Sequence, residues 1–253
     1  MLTAEDIRRA AELLRASRWA VVLTGAGVST ESGLPDFRSP GGLWTTVDPT
    51  RVASLSAFRA DPDTFYSFYL TRLSQLGRAS PNAAHRAIAR LEALGIVKLV
   101  ITQNVDGLHQ QAGSREVIEV HGNLREARCA QCTAVVPIQE MTAPLQAGRR
   151  PQCGRCGGLL RPNVVLFEEM LPLDAYARAE EGCRRCDTLV VVGSSLEVYP
   201  VADLPRMALA RGARLLIVNR DPTPYDGAAH LVLRGSAGAI LPDVVGALEG
   251  GDV

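Results

Sequence analysis

The sequence predicts an α/β fold built around a doubly wound parallel sheet, for three reasons. Six short runs rich in β-branched or aliphatic residues recur along the 253 residues: Ala20–Leu23, Val97–Ile101, Val117–Val120, Thr188–Val192, Arg214–Val218 and Leu231–Leu233. Such near-continuous apolar runs suit strands covered on both faces. Helical patterns lie between several of them, Asn82–Leu94 closed by Gly95 and Val201–Arg211 closed by Gly212, each with the glycine that commonly ends a helix. Strand and helix in alternation imply βαβ units, and several runs end in polar residues, where an open α/β sheet binds its ligands.

The chain starts with an amphipathic helical pattern, Thr3 as its N-cap and Ile7, Ala10, Leu13 and Leu14 on one face. The first strand then breaks at Gly25-Ala26-Gly27 and continues through Ser29, Thr30, Glu31, Ser32 and Gly33 to Pro35-Asp36-Phe37-Arg38. A strand followed by a glycine turn is how such a sheet presents a phosphate-bearing ligand. The third glycine of a dinucleotide fingerprint is missing, since Thr30 stands there, so the spacing alone also suits a tight turn without a ligand. An acid, a ring and a base in succession exceed what a turn needs. Ser39–Ser80 is long, rich in aromatic residues and helical in its second half.

The next strands run into polar groups: Thr102-Gln103-Asn104-Val105-Asp106, His121-Gly122-Asn123, Gly193-Ser194-Ser195 and Asn219-Arg220-Asp221. Together with the opening loop they describe a cleft for ribose and phosphate. A lone histidine is more often structural than catalytic, but His121 ends an apolar strand beside Gly122, so its imidazole is expected in the cleft. His85 and His109 read as helix or turn residues, and His230 flanks the last strand.

Apolar residues make up 47% and charged residues 21% of the chain, and the formal net charge is zero. That composition is ordinary for a soluble globular protein and gives no overall basic field to attract nucleic acid or an anionic membrane. No apolar run approaches the ~20 residues of a membrane span, and the start lacks a signal-peptide core, so a cytoplasmic protein is expected. Of 27 basic residues only Lys98 is lysine, for which codon bias is the plain explanation.

Cys129-x-x-Cys132 and Cys153-x-x-Cys156 are two knuckles separated by twenty residues. That spacing places four thiolates around one tetrahedral Zn²⁺, and a cytoplasmic chain disfavours disulfides. Four cysteines leave no open coordination position, so the metal should be structural. Cys183-x-x-Cys186 lies in a helical pattern before Thr188–Val192; buried core cysteines are the plain reading, a redox pair or substitute zinc ligands the other. The organisation is therefore one domain over 1–253: a Rossmann-like core at 1–38, 81–127 and 161–253, a helical insertion at 39–80 and a small zinc-ribbon module at 128–160.

Gly25-Ala26-Gly27-Val28-Ser29, Gly33-Leu34-Pro35-Asp36-Phe37-Arg38, Thr102-Gln103-Asn104-Val105-Asp106, His121-Gly122, the four zinc cysteines and Gly193-Ser194-Ser195-Leu196 together resemble the sirtuin family of NAD-dependent protein deacylases, in the same order over nearly the whole chain. The resemblance implies that the domain is catalytic, that NAD is consumed as a co-substrate and that acylated-lysine proteins or peptides are the partners. It implies that Gly25, Ala26, Gly27 and Ser29 hold the pyrophosphate, and that Phe37 and Arg38 cover the cofactor. Gln103, Asn104 and Asp106 would line the nicotinamide and ribose pocket. Gly193, Ser194, Ser195, Asn219 and the turn near Ala237 would hold the adenosine half, with Asp36, Trp44, Val105, Arg220 and Asp221 completing the cofactor set. His121, with Asn104 and Asp106, would be catalytic. The acyl oxygen attacks the anomeric carbon, nicotinamide leaves, and His121 takes a proton through the ribose hydroxyls. The products are free lysine, nicotinamide and O-acyl-ADP-ribose. The peptide would lie as an added strand between Asn163–Glu169 and Leu196–Tyr199, touching Val165, Phe167, Glu168 and Val198. Where the family usually has Phe-Gly-Glu, this chain has Phe167-Glu168-Glu169, which alters the expected peptide turn.

Tyr69-x-x-Arg72 puts two side chains on one helix face. From the residues alone a surface arginine and a half-buried tyrosine are the plain reading. The resemblance to the class that removes succinyl and malonyl groups, with Ala53 as its small upstream residue, implies instead a pocket for an acyl carboxylate, which a guanidinium fork and a phenol bind well. Two rivals remain: mono-ADP-ribosyl transfer to a protein on the same scaffold, and a non-enzymatic nucleotide-sensing module with a zinc ribbon. The lysine count gains a second reading, since an enzyme acting on acylated lysine then offers little of its own surface to acylation.

Overall fold

The computed structural model describes residues 2–37, 39 and 41–250. Its strands are β1 (Ala20–Thr24), β2 (Val97–Thr102), β3 (Val117–Glu119), β4 (Gly122–Cys129), β5 (Val135–Pro137), β6 (Leu160–Val164), β7 (Thr188–Val192), β8 (Arg214–Asn219) and β9 (Leu231–Arg234). Six of them form one parallel sheet in the order β3-β2-β1-β7-β8-β9. The other three form a small antiparallel sheet, β5-β4-β6. The helices are α1 (Ala4–Arg15), α2 (Leu43–Thr46), α3 (Pro49–Val52), α4 (Leu55–Ala60), α5 (Pro62–Leu76), α6 (Ala83–Ala93), α7 (Leu108–Gln111), α8 (Gln139–Gln146), α9 (Leu173–Arg185), α10 (Leu204–Leu209) and α11 (Ala237–Glu249).

The large sheet is covered on both faces, as its apolar strands require. Ala20 and Val22 of β1 pack with α1, α6 and α11 through Leu14, Ile88 and Val244. Val21 and Leu23, pointing the other way, pack with α9 and α10 through Ala179 and Leu204. Thr3 caps α1 as the sequence predicts, in a capping box with Asp6. The expected helix Val201–Arg211 is instead a 3₁₀ turn, Val201–Asp203, followed by the short α10, because Pro205 in its first turn supplies no amide hydrogen. Cys183 and Cys186 are both buried in the second face. Burial pushes the Cys183 thiol well up and the Cys186 thiol to about 12, so both are inert core groups rather than a reactive pair.

A third core joins the insertion to the zinc module. Phe58, Phe65, Tyr66 and Tyr69 pack against Met141, Leu160, Cys129 and Cys153, and the Tyr66 hydroxyl donates to Leu160 O at 2.7 Å. The small sheet extends on both sides of 128–160, since β4 starts at Gly122 directly after His121. Gly122 has φ +77° and a Cβ there would lie 2.1 Å from Asn163 O, so only glycine lets the chain turn out of the large sheet and pair with β6.

From β1 the chain moves first toward β2 and later returns to β7 on the other side. The carboxyl ends of these neighbours are the switch point where such sheets open a crevice.

Candidate active site

Two turns close on each other at that switch point. Gly25 N–H donates to Val192 O at 3.1 Å and Gly27 N–H to Gly193 O at 2.9 Å. A Cβ at Gly27 would stand 2.8 Å from Gly193 O and 2.9 Å from its Cα. Gly27→Ala is therefore expected to force the turn off β7, costing about 1–3 kcal/mol of stability and weakening NAD binding with it. Thermal melts and NAD titration check this; if neither property moves, close approach is not what fixes glycine here.

Beyond Gly25, the chain continues as a tight 3₁₀ helix, Ala26–Ser32, ended by left-handed Gly33. Ser29 is buried and central: its hydroxyl donates to Asp106 Oδ2 at 2.7 Å and accepts from Asn104 Nδ2 at 3.0 Å. Asn104 Nδ2 also donates to Gly25 O at 3.2 Å, and Asp106 Oδ1 accepts from Leu108 N–H at 3.0 Å. The ends of β1 and β2 are thus tied into one rigid floor. Behind it lie His85 and His109, rings 4.8 Å apart, with His109 Nε2 3.0 Å from the Thr24 hydroxyl. Burial, with His85 beside it, pushes His109 down to about 3, which keeps it neutral. His85 Nε2 lies 3.4 Å from the Ser29 hydroxyl, so the two histidines, expected only as helix or turn residues, support Ser29 and Thr24 through tertiary contacts.

Two cavities meet over the floor. The first, ≈ 210 Å³, is lined by Gly25, Ala26, Gly27, Asp36, Phe37, Gln103, Asn104, His121, Gly193, Ser194, Ser195, Val198, Asn219, Arg220, Asp221 and Ala237. It also takes in Thr30 and Ser39, polar turn residues the sequence reading missed because nothing in their spacing marks them. Arg220 reaches across it, donating to the Ser39 hydroxyl at 2.8 Å, 3.8 Å from the Asp36 carboxylate. Arg38, expected beside Phe37, lies outside the described residues.

The second cavity, ≈ 580 Å³, is lined by Ser29, Trp44, Ala53, Tyr69, Arg72, Val105, Asp106, Val165, Phe167 and Glu168. Ala26, Phe37, Gln103, Asn104, His121 and Val198 border both. Trp44 and Val105, expected with the cofactor, line only the second cavity, where Trp44 stacks on Phe37 with centroids 5.1 Å apart. Exposed Phe167, Met170, Leu173 and Tyr199 widen its mouth.

His121 stands at the junction. Its Nδ1 lies 3.0 Å from Gln103 O; donation there leaves Nε2 unprotonated and available as a base. Burial lowers its pKa below the usual 6.5, opposed by the Gln103 hydrogen bond. Tyr69 and Arg72 lie on α5, and among the described residues the guanidinium donates only to Gln75 Oε1, at 3.3 Å. Burial pushes the Arg72 pKa down, yet an arginine stays charged. Burial also pushes Tyr69 well up, so its phenol stays protonated and able to donate.

Away from these cavities the four cysteines converge. Their Sγ atoms all lie within 4.8 Å of one another, with Cys129–Cys156 at 3.4 Å and Cys132–Cys153 at 3.7 Å. A tetrahedron with Zn–S bonds of ≈ 2.3 Å needs S···S edges of about 3.8 Å. Backbone N–H groups of Gln131 and Cys132 point at Cys129 Sγ, and that of Arg155 at Cys153 Sγ, each at 3.4 Å. Burial alone would raise the Cys129 thiol, but the Cys132 and Gln131 N–H groups, with the Cys156 and Cys132 side chains, bring it to about 6. The donor set fits a closed, structural zinc.

A model of the Sir2 family matches residues 25–200. The chain is 48% identical over 247 residues to an NAD-dependent protein deacetylase of Caldivirga maquilingensis, covering 97% of this chain and 95% of that one. It is 47% identical over 242 residues to NAD-dependent protein deacylase 2 of Archaeoglobus fulgidus, covering 95% of each. Among solved structures, a Sir2–p53 peptide–NAD⁺ complex superposes with a TM-score of 0.89 at 40% identity, over 97% of this chain and 98% of that one.

Proposed function

The chain belongs to the Sir2 family, and on that premise we propose that it is a protein-lysine deacylase whose acyl pocket prefers a terminal carboxylate. The NAD-dependent deacylase activity is that of its relatives. The observation carrying the reading is the junction of the two cavities at His121 and Asn104. In it, NAD occupies the smaller cavity and the acyl-lysine the larger. NAD supplies an anomeric carbon activated by a nicotinamide leaving group. The floor of Ser29, Asn104 and Asp106 fixes the ribose side; both Asp106 oxygens are already engaged, so its part is to orient. His121 Nε2 accepts the proton released as the ribose hydroxyl attacks the acyl carbon. Phe37, stacked on Trp44, shields the reacting sugar from water. The peptide backbone adds as a strand beside Val165–Phe167.

Arg72 supports the finer preference. It is a charged fork at the wall of a largely apolar cavity, and Tyr69 brings a phenol beside it. A succinyl or malonyl carboxylate would satisfy both. Arg72→Met is expected to lower kcat/KM for desuccinylation at least ~10-fold while largely sparing deacetylation. A matched panel of acetyl-, succinyl- and malonyl-lysine peptides with NAD tests it; equal loss on all three removes the carboxylate assignment. Mono-ADP-ribosyl transfer would use the same cleft without needing Arg72, and mass spectrometry of the acceptor separates the two products.

A further inference from the structure

We infer that Glu168 is a positioning residue for the acyl-peptide, clasping the peptide-side turn to the segment that walls the acyl cavity. The inference rests on the deacylase reading and deepens it. Glu168 has φ +77°, in the left-handed region that residues with side chains rarely adopt. Its carboxylate supplies a reason for glutamate here. Oε2 accepts the Ser56 N–H at 2.9 Å and Oε1 the Ser56 hydroxyl at 2.7 Å. On the same edge Phe167 N–H donates to Ala53 O at 3.0 Å, and Leu55 N–H to Phe167 O at 3.2 Å. Four hydrogen bonds thus zip Phe167–Glu168 to Ala53–Ser56, and Ala53 and Glu168 both line the larger cavity.

The next residue pulls the other way. Glu169 pairs with buried Arg161 and accepts the Leu166 N–H at 3.0 Å. Two adjacent carboxylates therefore hold the turn from opposite sides, one to the zinc-module sheet and one to the insertion. Between these anchors, Val165 C=O and Glu168 N–H have no hydrogen-bond partner among the described residues. These are the groups an incoming strand would use. Without the Glu168 clasp, the wall of the acyl cavity and the peptide edge could move independently, and binding would have to order both.

Steady-state kinetics with an acyl-lysine peptide and NAD test the clasp in Glu168→Ala, Glu168→Gly, Glu168→Gln and Ser56→Ala. Alanine loses the clasp and keeps the left-handed backbone, whereas glycine loses the clasp but relieves the backbone. Glutamine keeps an acceptor for the Ser56 N–H. The peptide KM should rise about tenfold in the alanine and glycine variants at Glu168 and less in Ser56→Ala, with glutamine nearest wild type. The kcat and the KM for NAD should stay within about twofold. Melting temperatures report folding, and the glycine variant should melt close to wild type. A glycine variant with wild-type peptide KM overturns the clasp, as does parallel loss of kcat and NAD affinity in a folded variant. Wild-type protein that releases no nicotinamide in response to acyl-peptide would instead refute the deacylase reading.

Discussion

Replacing His121 by Ala should slow deacylation about 10²–10⁴-fold, the usual worth of a positioned general base, while leaving NAD binding near wild type. Gln103 O holds Nδ1, which leaves Nε2 as the ring's basic nitrogen, and His121 borders both cavities. Because the proposed proton transfer follows departure of nicotinamide, exchange of labelled nicotinamide into NAD should survive the substitution far better than acyl transfer. The pH profile gives a second readout. The base works in its neutral form, so kcat falls as pH drops through its pKa. Burial lowers that pKa, so the acid limb should centre below 6.5, and it should vanish from the residual activity of His121→Ala. An acid limb centred above 6.5, or one that persists in the variant, would assign the titration to another group.

What was legible in the sequence follows from where each signal is stored. The six strands of the large sheet match the six apolar runs to within a residue at each end, because a strand buried on both faces must be written as a continuous apolar run. The zinc ligands were legible because two knuckles encode their own geometry. Strands β4 and β6 were harder. β4 has no clean alternation, with Asn123 and Leu124 both buried, Arg125 exposed and Arg128 half-buried, a weak pattern in a stretch that also carries turn residues. The aromatic insertion showed as helical only in its second half, since α2, α3 and α4 are single turns or little more, too short for periodicity to register. Least legible were contacts made by residues far apart in the chain: Ser29 with Asp106, His109 with Thr24, Glu168 with Ser56. The unusual Phe167-Glu168-Glu169 is visible in the sequence, but the Ser56 partner of Glu168 appears only in three dimensions.

Removal of zinc should dismantle the acyl-peptide side of the site before the NAD side. Structural zinc binds with an apparent free energy of about 10 kcal/mol or more, and that energy is folding energy. Chelation, or Cys153→Ser, should therefore unfold the module rather than loosen it. The damage has a defined route. Cys129 and Cys153 share one core with Leu160, Met141, Phe58, Phe65, Tyr66 and Tyr69, and Tyr66 is bonded to Leu160 O. Losing β4–β6 thus removes the surface on which α5 rests, and α5 carries Tyr69 and Arg72. The β1 and β7 turns belong to the large sheet and pack in the other two cores. Hydrogen-exchange mass spectrometry on chelated protein should show protection lost over residues 55–76 and 122–164 while 20–24 and 188–192 stay protected. Acyl-peptide affinity should fall in step with the first group, and NAD binding should outlast it. Simultaneous loss across both groups would mean that the sheet and the module unfold as one cooperative unit. Unchanged exchange in 122–164 after metal removal would mean that the cysteine cluster contributes no folding energy.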